Sequence, residues 1–213
     1  MPASPRLRRF GDQAVGQASQ ALAALALIGL LLAVMWGLEI LDYAMDGRLD
    51  QYGLEARNVD DLPDLFTSPF LHFGFDHLIG NTVPFAVLGF IAAVRGVGKF
   101  VAMNLLVIIL GGLGEWLISP PNTLTLGASG LVFGYFGYLV GRGIFERHLV
   151  DALLAVAVGV LYGGILYGVL PTDLPISWQG HLCGLIAGFL SAYVLRRRKR
   201  NLPAAPSVPG LPG

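Results

Sequence analysis

Long apolar stretches separated by short polar connections dominate the pattern of this chain. Six stretches consist mainly of Ala, Val, Ile, Leu, Phe and Gly. A membrane-spanning helix requires about 20 mostly apolar residues. The pattern therefore predicts an all-α membrane protein built as a bundle of six transmembrane helices. Their approximate limits are residues 21–41, 70–94, 100–118, 127–140, 150–170 and 178–195.

Lys and Arg fall almost entirely on one side of these predicted spans. Twelve of the 14 lie before the first span, after the last, or between spans two and three and spans four and five. Only Arg48 and Arg57 fall on the other side. Because Lys and Arg are enriched in cytoplasmic loops, we predict cytoplasmic termini. The expected organisation is a cytoplasmic N-terminal segment (1–20), a membrane domain (21–195) and a basic, disordered cytoplasmic tail (196–213).

The composition agrees with this assignment and excludes other classes of protein. Hydrophobic residues make up 54% of the chain and charged residues 13%, against about 25% charged residues in soluble domains. A formal net charge of zero argues against nucleic acid as a partner, since phosphate binding requires a basic surface. Cys183 is the single cysteine, so no intramolecular disulfide is possible. The partner indicated at this point is the lipid bilayer.

Polar side chains inside the predicted spans are the candidate functional residues, because burying them in a membrane is costly. His77 and Asn81 are four residues apart in span two and share one helix face. Ser129 lies at the start of span four, and His181 at the start of span six. Each also has a structural interpretation. Polar side chains form interhelical hydrogen bonds worth about 1 kcal/mol, and small residues allow close helix packing.

Regularly spaced glycines form a stripe beside Ser129 in span four and another beside His181 in span six. Glycines at spacings of three and four allow two helix backbones to approach closely, so we expect spans four and six to pack together. In the predicted topology, all four polar residues lie in the outer half of the bilayer. The stripes consist of Gly127, Gly130, Gly134, Gly137 and Gly141 in span four, and of Gly180, Gly184 and Gly188 in span six.

A serine hydroxyl becomes a useful nucleophile when a base removes its proton, and His181 is the candidate base. Attack on a peptide carbonyl produces an oxyanion that needs preorganised donors, which His77, Asn81 and the Ser129 N–H could supply. No carboxylate is placed to complete a triad, because Asp76 points about 100° away from its neighbour His77 around the helix. The economical interpretation is a Ser–His dyad.

Other intramembrane chemistries fit the sequence less well. A zinc protease would carry a His-Glu-x-x-His helix motif, which does not follow His77. An aspartyl mechanism needs two aspartates within spans, and only Asp76 lies near one. We therefore predict no metal and no cofactor.

The residues discussed above resemble the rhomboid family of intramembrane serine proteases, over about residues 65–195. The resemblance implies Ser129 as nucleophile, His181 as general base and acid, and His77 with Asn81 as oxyanion stabilisers. It also implies transmembrane substrate proteins and a water-filled active site open to the outer side of a bacterial cell membrane. The motifs are Phe70-Leu71-His72, His77-x-x-x-Asn81, Gly127-x-Ser129-Gly130 and Gly180-His181-x-x-Gly184-x-x-x-Gly188.

The chain departs from the family pattern at two places. Many members carry a Trp-Arg pair in the first outer loop, where this chain has Pro63-Asp64. Bacterial members often have a tyrosine four residues after the serine, where this chain has Phe133. Since phenylalanine keeps the ring face, we expect Phe133 to support His181.

Two rival functions remain open on sequence alone. A non-proteolytic rhomboid-like protein would bind membrane helices, although such proteins typically lack the serine or the histidine. A small channel or transporter could use His77 and Glu115 as a relay, and its transport would survive Ser129→Ala. The acidic first outer loop, 42–68, could be either an interfacial segment or a solvated loop.

Overall fold

Helices account for nearly all of the regular structure in the computed structural model, which describes residues 5–172 and 176–197. Residues 198–213, most of the predicted tail, lie outside this part. Helix α1 begins at Pro5, so it includes most of the predicted N-terminal segment. The six long helices of the described residues are Pro5–Ala44 (α1), Phe75–Val94 (α2), Val97–Ile118 (α3), Ser129–Phe145 (α4), Leu149–Tyr162 (α5) and Trp178–Val194 (α6).

Four of these helices are long and apolar enough to cross a membrane: α1, α2, α3, and α5 together with a 3-10 extension, Gly163–Val169. Helices α4 and α6 have 17 residues each. Each is therefore about 26 Å long, against a hydrocarbon core of about 30 Å. The all-α membrane class is confirmed, whereas the count of six crossings stays a prediction.

Helices α2 and α4 differ from their predicted limits for identifiable reasons. Helix α2 begins at Phe75 rather than near residue 70, because Gly74 before it has a φ of 87°. Helix α4 continues to Phe145 instead of ending near residue 140. Its additional turn carries Arg142, which is only 4% exposed and lies 3.1 Å from the Asp151 carboxylate. An ion pair that hydropathy does not register thus allows the helix to extend.

Helix α4 lies at the centre of the bundle and packs closely on α6. Gly184 and Gly188 of α6 face the carbonyl oxygens of Gly130 and Gly134, and a Cβ atom at either α6 position would overlap the opposing backbone. The predicted close approach of spans four and six is confirmed. It brings the helices that carry Ser129 and His181 into backbone contact.

The connection between α1 and α2 folds back onto the end of α3. Its short strand β1 (Leu54–Glu55) pairs antiparallel with β2 (Leu124–Thr125). Leu65 is buried against Gly112 of α3, and the Trp116 indole donates a hydrogen bond to the Asn58 carbonyl at 3.0 Å. Because β2 immediately precedes the loop to α4, this pairing fixes the approach to Ser129.

Candidate active site

Ser129 is the first residue of α4, where backbone N–H groups have no intrahelical acceptor. Two hydrogen bonds fix the loop before it. The Gly127 N–H donates to the Ser68 carbonyl at 2.9 Å, and the Ala128 N–H donates to His72 Nε2 at 3.2 Å. The entry to α4 is thus held by residues that precede α2. The sequence analysis assigned no role to His72, although the Phe70-Leu71-His72 motif contains it and is the signal that could have indicated one.

Gly127 allows the ring of His77 to lie against the same loop. Its φ of 127° belongs to the region that favours glycine. A Cβ atom there would lie 2.6 Å from Cε1 and 2.9 Å from Nε2 of His77. Both the backbone conformation and the available space therefore require glycine, and the Nε2 edge of His77 comes next to the segment that precedes Ser129.

The hydrogen bonding of His77 indicates its tautomer. The Phe73 backbone N–H donates to His77 Nδ1 at 3.4 Å. A neutral imidazole carries its proton on the other nitrogen when one nitrogen accepts. His77 Nε2 is therefore a donor, on the edge beside Gly127.

His181 is held by two contacts and is only 8% exposed. Its Nδ1 lies 2.8 Å from the carbonyl oxygen of Gly168, which can only accept, so Nδ1 carries the proton and Nε2 is free to accept one. The ring of Phe133 stacks on the imidazole with a centroid distance of 4.2 Å and an angle of 10°. The predicted support of His181 by Phe133 is confirmed. The Gly168 contact is made by main chain, so no sequence motif indicates it.

His77, Ser129 and His181 line one open cavity of about 760 Å³. Asn81 is not among the residues that line it. It is 7% exposed, and its Nδ2 donates to the His77 carbonyl one turn earlier, at 3.2 Å. The structure thus gathers three of the four predicted residues around one cavity and leaves Asn81 next to it, bonded within α2.

Carboxylates near the cavity do not contact His181. Asp76 lines the rim but is exposed, and within the described residues it makes no hydrogen bond or ion pair to either histidine. The same part of the chain contains no group of three or more His, Cys, Asp or Glu residues that could hold a metal ion. The hydrogen-bond partner of His181 Nδ1 is the Gly168 carbonyl rather than a carboxylate.

One protein-family model and several known proteins are similar in sequence to this chain. A model of the Rhomboid domain matches residues 60–198, a region that includes all four predicted site residues. An uncharacterized protein of Mycobacterium tuberculosis is 38% identical over 191 residues, which cover 84% of this chain and 80% of that protein. A Bacillus subtilis protein named "Putative rhomboid protease YdcA" is 27% identical over 139 residues, which cover 64% of this chain and 69% of that protein.

Proposed function

We propose that this chain, which belongs to the rhomboid family and is a multi-pass membrane protein, is a serine endopeptidase. Its proposed substrates are transmembrane segments of other proteins. One observation carries this proposal. The hydroxyl-bearing Ser129 and the ring of His181, whose Nδ1 is fixed by a carbonyl, line the same cavity. A nucleophile and an oriented base that face one cavity support acyl-transfer chemistry.

In the proposed reaction, Ser129 Oγ attacks the scissile carbonyl while His181 Nε2 takes the hydroxyl proton. The imidazolium then donates this proton to the leaving amine as the C–N bond breaks, and an ester forms on Ser129. A water molecule attacks the ester, again losing its proton to His181, and the serine is regenerated with release of a carboxylic acid. Gly168 and Phe133 keep the ring in one orientation throughout.

The proposed oxyanion donors are the Ser129 backbone N–H, His77 Nε2–H and the amide of Asn81. The His77 tautomer inferred from the Phe73 hydrogen bond supports this role. Asn81 has a second N–H besides the one bonded to the His77 carbonyl. Because several donors share one charge, removing a single side chain lowers the rate without abolishing it, by about 10²–10³-fold for a well-placed donor.

The proposed substrate is a membrane helix that unwinds locally. Carbonyl groups in an intact helix are bonded to N–H groups four residues ahead, so the scissile carbonyl has to leave that pattern before attack. Glycine and proline lower the cost of unwinding, since they are the poorest helix formers. We therefore expect helix-weak residues near the cleaved bond.

Cleavage of a model transmembrane substrate in liposomes tests the proposal. Ser129→Ala and His181→Ala should each lower kcat by at least about 10³-fold, whereas His77→Ala and Asn81→Ala should retain measurable cleavage. Ser191→Ala is the matched control, because within the described residues the hydroxyl of this buried serine of α6 bonds only to the Ala187 carbonyl. This variant should cleave like the unmodified protein. Full activity in Ser129→Ala would refute the protease function, and transport that survives this change would favour a channel or transporter.

A further inference from the structure

Glu115 of α3 is a carboxylate beside the proposed catalytic pair that the reaction does not use. The Ser177 hydroxyl donates to its Oε1, and the Thr125 side chain lies beside the same carboxylate. Together with Ser129, these residues line a small cavity of about 40 Å³. One side chain of α3 thus contacts two segments that are distant from each other in sequence.

These two contacts occupy equivalent positions relative to the catalytic residues. Thr125 ends β2, four residues before Ser129, and Ser177 lies four residues before His181. Ser177 is also the N-cap of α6, since its Oγ accepts the Gly180 N–H at 3.1 Å. The Glu115 carboxylate therefore joins the chain segments that enter α4 and α6.

Direct packing strengthens the link to α6. A Cβ atom on Gly180 would lie within 2.6 Å of the Glu115 carboxylate atoms, so the carboxylate lies against the residue immediately before His181. The absence of a side chain at Gly180 leaves room for the Glu115 carboxylate. Any larger residue would displace either the carboxylate or the first turn of α6.

We infer that Glu115 is a positioning residue that sets the separation of Ser129 and His181 by holding the entries of α4 and α6 to α3. The inference rests on the proposed function, because it concerns the geometry of the same catalytic pair. Reaction rates are sensitive to such geometry, and a displacement of about 1 Å can cost about 10²-fold. Glu115 acts through Ser177 and Thr125 and makes no hydrogen bond to His181 in the described residues.

The test compares two substitutions of Glu115 in the liposome cleavage assay. Glu115→Gln keeps the side-chain shape and the acceptor for Ser177, so its kcat should stay within about threefold of the unmodified protein. Glu115→Ala removes both tethers, and its kcat should fall about 10²-fold with KM unchanged, because a positioning residue acts on the catalytic pair and not on the substrate. A kcat that is retained in Glu115→Gln, and a loss of kcat without a change in KM in Glu115→Ala, distinguish positioning from a general loss of structure.

Two further variants keep the test decisive if Glu115→Ala fails to fold. Ser177→Ala and Thr125→Val each remove one tether. Each should lower kcat about tenfold, since loss of both tethers is expected to lower it about 10²-fold. Ser191→Ala on the same helix as His181 should stay within about twofold. An unchanged kcat in Glu115→Ala, or in both single-tether variants, overturns the inference while cleavage by the unmodified protein upholds the proposed function. Absence of cleavage by the unmodified protein overturns both.

Discussion

His181 shows how single residues combine predictable and unpredictable contacts. The ring of Phe133 stacks on its face, as the resemblance to bacterial family members implied. The Gly168 carbonyl that accepts from Nδ1 belongs to the 3-10 extension of α5. Since every residue has a backbone carbonyl, no residue type in the sequence indicates this contact. The role proposed for the residue was therefore suggested by the sequence, while the hydrogen bond that fixes its tautomer required the fold.

Replacing the stacked ring tests its contribution to the proposed reaction. An aromatic pair contributes about 0.5–1.5 kcal/mol beyond its buried area, so Phe133→Leu should lower kcat about two- to twelvefold by loosening the His181 ring. Phe133→Tyr keeps the ring face and should remain near the unmodified rate. Steady-state cleavage in liposomes measures both variants, and equal rates for Phe133→Leu and the unmodified protein would contradict the role assigned to the stack.

At the level of elements, glycine spacing determines which helices can touch. The stripes in α4 and α6 predicted close packing, and the structure has their backbones in contact at Gly184 and Gly188. The end of α4 was not predictable in the same way. Hydropathy excluded Arg142, whose burial is explained by its pairing with Asp151 of α5 and by its hydrogen bond to the Tyr138 hydroxyl.

A methyl group at this helix contact should destabilise the bundle. In Gly188→Ala the new Cβ would overlap the Gly134 carbonyl, and overpacking of this kind costs about 1–3 kcal/mol. Gly159→Ala in α5 is the matched control, since a Cβ there meets nothing within 4 Å and alanine is the better helix former. Thermal unfolding in detergent micelles should give a lower Tm for Gly188→Ala alone. Equal Tm values for the two variants would argue against tight α4–α6 contact.

For the whole molecule, the distribution of basic residues predicts which side of the protein faces the cytoplasm, and the packing of the helices does not. Twelve of the 14 Lys and Arg lie on one side of the six predicted spans. The same orientation would direct the open cavity with Ser129 and His181 toward the outer side of the membrane. Orientation and active-site side are therefore a single prediction with two parts.

Reporter fusions test this topology. Green fluorescent protein fused to the C-terminus should fluoresce, and alkaline phosphatase at the same point should be inactive, because the basic tail is expected to stay in the cytoplasm. Alkaline phosphatase inserted into the connection between α1 and α2 should be active. The reverse pattern, or identical results at both points, would contradict the even number of crossings or their direction.

The sequence by itself determined the membrane class, the family and the residue types of the candidate site. These properties depend on composition summed along each segment and on short motifs in a fixed order, both of which are local. The tertiary structure decided the ends of α2 and α4, the tautomers of His77 and His181, and the bonding of Asn81 within α2 rather than into the cavity. The end of α4 and the tautomer of His181 depend on contacts between different elements, such as the one between Gly168 and His181. Such contacts exist only once the helices have packed.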